Sequence, residues 1–383
     1  MSRSTGTLLS ALLWAYASVV LASAQAPSSQ IDGSAQASTL PAAYVYVSSD
    51  NSSSKTNEIK GYAAAASGSL TAIPGSPFKY NVSSLALNGA WLFGVGPTNT
   101  KIESLAIASN GALARKDTYT NSSGPVLYDL FLDHTGATLY SDHYTTNNDY
   151  LSLSIDQATG QLSLINDLGG GPANNSEMSF TGNTQFAYSS SCYHFTQDIF
   201  GVQRASDGAL SWLNITPPFP KEKNGGFYCP WLAAADPTNH LAVAMEPLTQ
   251  NWGNDGPWQL AVYAADSSGN LATSSTYENM PSVLVGTVNY YSMSPDGKYL
   301  AVSGTSGLQV FRFNGANPIT KLTGLIATTA VQQVYWDNVD HLYAVNGRSG
   351  KLYVFTVTSK GAIQAPGSPH SVGGATSLIV LPK

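Results

Sequence analysis

The feature that most constrains this chain is a turn that keeps coming back. An apolar strand, a short polar turn and a second apolar strand recur around Leu87-Asn88-Gly89, Leu132-Asp133-His134-Thr135-Gly136, Thr181-Gly182-Asn183, Asp236-Pro237-Thr238-Asn239, Ser294-Pro295-Asp296-Gly297 and Asp337-Asn338-Val339-Asp340. Anchored at Asn88, Asp133, Gly182, Asp236, Ser294 and Asp337, the intervals are 45, 49, 54, 58 and 43 residues. A strand such as Leu342-Tyr343-Ala344-Val345 follows each anchor, and a third such as Lys351-Leu352-Tyr353-Val354-Phe355 comes next. A Gly-x-Leu turn often leads to a fourth, at Gly68-Ser69-Leu70, Gly111-Ala112-Leu113, Gly160-Gln161-Leu162, Gly208-Ala209-Leu210 and Gly269-Asn270-Leu271. Four short strands per unit of ~40–50 residues is the size of a propeller blade.

Six anchors are internal, and the seventh unit is divided. Ser377-Leu378-Ile379-Val380-Leu381-Pro382 reads as a first strand with no second, and Ala43-Tyr44-Val45-Tyr46-Val47 as a second strand with no first. Joined, they complete a blade. The expectation is therefore an all-β, seven-bladed β-propeller over residues 41–383, with four-stranded antiparallel blades and a ring closed by a blade that both ends share. Closure removes the open sheet edges that a linear array would expose. Ile73-Pro74-Gly75-Ser76-Pro77-Phe78 and Ala365-Pro366-Gly367-Ser368-Pro369-His370 fall at matching blade ends. Charged residues make up 10% of the chain, against ~25% in an average soluble protein. That excludes a helical bundle, and 17 scattered Lys and Arg supply no basic stripe for nucleic acid.

Arg3, the apolar run Leu8 to Ala22 and the small-x-small site Ala22-Ser23-Ala24 form the pattern of a secretory signal over residues 1–24. The run is shorter than the ~20 residues of a membrane span. Residues 25–40 are Ser/Ala/Gln-rich and read as a flexible leader. The expectation is a secreted or periplasmic monomer without a membrane span, cleaved near Ala24.

Ser294-Pro295-Asp296-Gly297-Lys298-Tyr299-Leu300-Ala301-Val302, the Gly-x-Leu turns and the Pro-Gly-Ser-Pro blade ends resemble the lactonase family of seven-bladed propellers. That family includes 6-phosphogluconolactonase-like proteins and fungal carboxymuconate cyclases. The resemblance implies a catalytic His-x-His pair on one inner strand, where this chain reads Val126-Leu127-Tyr128-Asp129-Leu130-Phe131. It implies Arg-His on a later one, where the chain reads Tyr228-Cys229-Pro230-Trp231. Its two strand-end acids match Asp142 and, within one residue, Glu246. The carboxylates are kept, and the imidazole and guanidinium groups are replaced.

Inner strands begin and second strands end on one face of a propeller, around its channel, where ligand sites usually form. Second strands end near Asp50, Asp142, His143, His194, Glu246 and Arg348, and inner strands begin near Asp129, Glu177, Tyr228, Tyr290 and Gln333. Asp142, Glu246, His143, His194 and Glu177 are the candidate catalytic groups, able to supply a general base. Arg348, Tyr228, Trp231, Trp252 and Tyr290 are the candidate ligand-binding residues. Trp252 lies in the lengthened segment Gln250–Trp258, and aromatic faces among Asn and Asp suit sugar rings. No metal-ligand spacing is present. No cofactor is expected, a divalent cation in the channel being the alternative left open. Cys192 and Cys229 fall at the channel face of adjacent blades, and a disulfide between them is expected in an exported protein. Three functions follow. One is a non-catalytic or divergent ligand-binding or scaffold propeller of the cell envelope. The second is a lactone hydrolase acting on a small sugar-acid lactone. The third is a carbohydrate-binding propeller.

Overall fold

The computed structural model describes residues 40–51, 56–122, 126–144, 148–171, 177–193 and 196–383. Among them are seven antiparallel sheets and no helix, so no helix is long and apolar enough to cross a membrane. Counting from the blade shared by both ends, the inner strands are Gly374–Pro382, Ser83–Leu87, Val126–Leu132, Ser179–Phe180, Phe227–Ala235, Val288–Met293 and Gln333–Trp336. The second strands are Ala43–Asn51, Trp91–Val95, Thr138–Tyr144, Phe186–Tyr193, His240–Leu248, Tyr299–Gly304 and His341–Asn346. Six blades have four strands; the seventh adds a short strand, His370–Ser371, paired with Lys351–Thr358. In the first blade Ala43–Asn51 pairs with Thr56–Ala64 on one side and Gly374–Pro382 on the other, with Val47 opposite Leu378.

The recurring turns owe their regularity to a side-chain cap. Asp236 Oδ1 accepts the backbone N–H groups of Thr238 and His240, both at 2.9 Å. Asp337 Oδ1 does the same for Val339 and His341, also at 2.9 Å. Asn88, Asp133, Asn183 and Asp296 cap their own turns in the same way. Short polar side chains that hydrogen-bond two residues ahead favour a turn over continued strand. The five Gly-x-Leu turns lie on the same face and pack the first to fifth blades each against the blade before. Tyr46, Tyr140 and Tyr188 hydroxyls donate to the carbonyls of Gly111, Gly208 and Gly269 in the next blade, at 2.8, 3.0 and 2.8 Å. Gly160, at φ +75°, lies so close to Trp91 that a Cβ would stand 2.5 Å from the indole. This face is called the exit face below, and the opposite one the mouth.

The apolar interior is divided into seven clusters, each formed by two consecutive blades, with the seventh blade packing on the first. Tyr299 and Ala301 face the seventh blade, and Leu300 and Val302, on the same strand, face the fifth. A strand covered on both faces is apolar at every position rather than at alternate ones. Tyr299–Gly304 and His341–Asn346 are accordingly buried throughout.

Inner strands are less regular. Their register shifts at Ser84, at Tyr128 and Asp129, at Leu232 and at Asn289, and the first blade shifts beside Thr376. Such bulges unpair a backbone group and re-aim a side chain. A neighbouring blade takes up several of the freed N–H groups. Gln333 Oε1 accepts from Leu378 N at 2.7 Å, Ser377 Oγ from Leu85 N at 3.0 Å, and Ser84 Oγ from Leu130 N at 3.0 Å. The seventh, first, second and third blades are stitched in sequence around the channel.

Candidate functional site

Two connected cavities follow the axis from the mouth. The outer one, of about 370 Å³, is lined by Asp129, Glu177, Leu232, Asn289, Tyr290, Gln332, Gln333 and Thr376. The inner one, the throat, of about 200 Å³, shares Glu177, Leu232 and Tyr290 and adds Tyr335, Tyr291 and Met293. A third space of about 310 Å³ at the exit face shares Ala235 and Met293 with the throat. Several bulged residues are thus the ones that reach the axis.

Glu177 stands where the two upper cavities meet. Its Oε2 accepts the Tyr290 hydroxyl at 2.8 Å, and the Tyr290 and Tyr335 oxygens are 2.9 Å apart. Burial within the ring pushes the Glu177 carboxyl up to about 7; the Tyr290 hydrogen bond opposes this and the Asp129 charge adds to it. Asp129 is raised by burial and lowered by the Ser84 hydroxyl, 3.3 Å away. Asp142 is raised well above the carboxylate range, first by burial and then by the Asp129 charge, against the Asp129 N–H that it accepts at 2.6 Å. Burial also raises both phenols, Tyr290 and Tyr335, so both keep their protons. Among the described residues, no Lys, Arg or His lines either upper cavity.

The rim offers donors and acceptors side by side. Gln332 and Gln333 use their carbonyl oxygens on Gly347 N and Leu378 N, at 2.6 and 2.7 Å. Asn289 uses its NH2 on the Val331 carbonyl at 2.9 Å. The two glutamine NH2 groups and the Asn289 carbonyl oxygen have no protein partner among the described residues.

The strand-end residues read from the sequence divide between the channel and other places. Glu177 and Tyr290 come together in the throat, and Asp142 supports Asp129 from behind without lining a cavity. His143 is buried and turns outward, its Nε2 2.8 Å from Asp167 Oδ1 on the outermost strand. Tyr228 is buried between the fourth and fifth blades, its hydroxyl donating to Gln259 at 2.6 Å. Arg348 is exposed in the turn after the second strand of the seventh blade. Glu246 is raised by burial and lowered by hydrogen bonds from the Trp231 and Asn254 side chains. Trp252 packs on Phe227, ring centroids 5.0 Å apart. Cys192 and Cys229 are joined by a disulfide, Cα atoms 5.5 Å apart. His194 and the Asp50 side chain lie outside the described residues. No group of three or more His, Cys, Asp or Glu among the described residues is arranged to hold a metal. The sequence reading passed over Tyr335, Asn289, Gln332 and Thr376 as channel residues. Tyr335 had a signal, being two positions after Gln333 on an inner strand; Asn289 and Thr376 depend on bulges that no local pattern announces.

No family model matches the chain, and no curated protein sequence does. Solved structures do match. A protein described as a 6-phosphogluconolactonase from Bacteroides uniformis is 15% identical with a TM-score of 0.64, over 88% of this chain and 99% of that one. Its counterpart from Bacteroides fragilis is 14% identical with a TM-score of 0.63, over 88% and 98%. The periplasmic gluconolactonase of Pseudomonas aeruginosa is 17% identical with a TM-score of 0.64, over 88% and 99%. The likeness is one of fold: the chain is a lactonase-like seven-bladed propeller.

Proposed function

We propose that the protein is a binding propeller that admits a small, uncharged, hydroxyl-rich molecule of the sugar or sugar-lactone class through its mouth. The observation that carries this is a lining with no Lys, Arg or His among the described residues, in which amide donors without a protein partner among those residues stand among carboxylate and amide acceptors. A hydroxyl both donates and accepts, so it suits such a surface. A phosphate or carboxylate would meet the Asp129 and Glu177 carboxyls, with no Lys, Arg or His among the described lining residues to offset the repulsion. The first reading is non-catalytic, because the inner strands Val126–Leu132 and Phe227–Ala235 hold no His or Arg. Calorimetry with glucose and glucono-1,5-lactone, against their 6-phosphorylated forms, tests it. Neutral compounds are expected to bind and phosphorylated ones not to. Preference for the phosphorylated forms overturns the reading.

One observation favours a second reading, hydrolysis of a neutral lactone. A carboxyl near 7 beside two phenols, as at Glu177, is suited to general-base work at neutral pH, and the three matched structures above carry 6-phosphogluconolactonase or gluconolactonase names. Turnover of glucono-1,5-lactone that falls at least ~100-fold in Glu177→Gln would support it. Turnover unchanged in that variant would remove Glu177 from the role.

We further propose that the protein works outside the cytoplasm, as supported by the Leu8–Ala22 run and the Cys192–Cys229 bridge. Mature protein recovered from the source cells should begin at Gln25; an intact Met1 end counts against export.

A further inference from the structure

Trp231 is out of place for a large apolar ring. It sits on the inner strand of the fifth blade, at the bulge, and is 40% exposed. The neighbouring Leu232, at φ +54°, lines both upper cavities. The bulge therefore puts one residue at the axis and leaves the ring of the residue before it part-exposed to solvent. The ring is held in place from beneath. Its indole N–H, which can only donate, has the Glu246 carboxyl as its neighbour, and the Trp231 and Asn254 side chains both oppose the upward shift that burial gives that carboxyl. The ring lies 6.1 Å from Trp258, tilted at 37°, and Trp258 is itself buried. Asn254 belongs to the lengthened segment after the second strand of this blade. The insertion thus helps fix an aromatic surface beside the mouth, and a surface fixed in advance needs little ordering when something binds to it. A part-exposed aromatic ring backed by a second, buried ring is suited to the C–H face of a sugar ring.

We propose that Trp231 is the platform for a second sugar unit. On the binding reading above, on which this rests, the ligand is a neutral oligosaccharide: its terminal unit enters the cavities at Glu177, and the next unit lies on the Trp231 ring. The throat, about 200 Å³, and the outer cavity, about 370 Å³, take the terminal unit on this proposal, and the next unit lies towards the mouth. Glu246 is a positioning residue that holds the indole.

Calorimetry and tryptophan emission with α-1,4- and β-1,4-linked glucose oligomers of one to three units test the proposal. At least one series should gain about tenfold in affinity from the first unit to the second, the size of covering one apolar ring face. The gain should vanish in Trp231→Ala and persist in Trp231→Phe, with monosaccharide affinity unchanged in both. The emission change on adding the dimer should be missing in Trp231→Phe. Glu246→Ala should lower the gain and alter Trp231 emission without touching monosaccharide affinity. Equal affinity for one and two units, or a Trp231→Ala variant that loses both alike while its melting temperature is kept, overturns the platform and leaves the binding reading standing. No binding at any length overturns the binding reading and the platform with it.

Discussion

Glu177 owes its proton affinity to enclosure more than to any single partner. It rises from an ordinary 4.5 to about 7 although the Tyr290 hydroxyl pulls it the other way. Between those two values the folded protein holds a proton that the unfolded chain has released. The stabilisation this brings is complete below about pH 4.5 and is lost as pH rises through about 7. The wild type should therefore melt at a higher temperature at pH 5 than at pH 8, by more than Glu177→Gln does. Parallel pH profiles in calorimetric melts would mean that Glu177 ionises normally. The sequence identified Glu177 as a mouth residue from its place ahead of an inner strand. It did not disclose the phenol pair, because Tyr335 reaches Tyr290 only across the interface of two blades.

At the scale of the element, legibility follows from what fixes each piece. The exit-face turns were readable because each carries a short polar residue that caps its own backbone; glycine takes the positive φ at Gly89, Gly136 and Gly297, and Thr184 and Asp340 take it in two other turns. The second strands were readable because burial on both faces makes them continuously apolar. The mouth was less so. A single inserted residue turns side chains to another side, and this separates channel-facing Leu232 from exposed Trp231 and interface-bound Tyr228. The exit-face contacts also make a stability prediction. Gly160→Ala adds left-handed strain and drives a methyl into Trp91, and should cost about 2–4 kcal/mol in urea unfolding. Gly225, at φ +84° with nothing within 4 Å of a would-be Cβ, is the control. Its alanine variant should lose only about 1 kcal/mol. Equal losses would mean that the Trp91 contact adjusts freely.

The whole molecule has no central core; seven interfaces share the apolar burial and the axis stays open. Such an assembly depends on closure, since each blade covers one face of the next. The fourth and fifth blades are also tied covalently, by a bridge of sequence separation 37. Confining that loop in the unfolded chain is worth roughly 3–4 kcal/mol. Cys192→Ser with Cys229→Ser should lower the unfolding free energy by about that amount, and an unchanged urea midpoint would show that the loop is already confined without it.

The shared blade has a further consequence. Ala43 is paired with Pro382, and Lys383 N donates to the Ala42 carbonyl at 2.9 Å. Both ends of the ring thus leave from one point, on the face away from the mouth. A fusion partner or a solid support joined at that point lies on the face opposite the mouth, which is left pointing outward. A pull on both ends would load the seam one residue pair at a time, as a zip opens, rather than all pairs at once. The ring is therefore easy to display by either end and weakest when pulled by the two together.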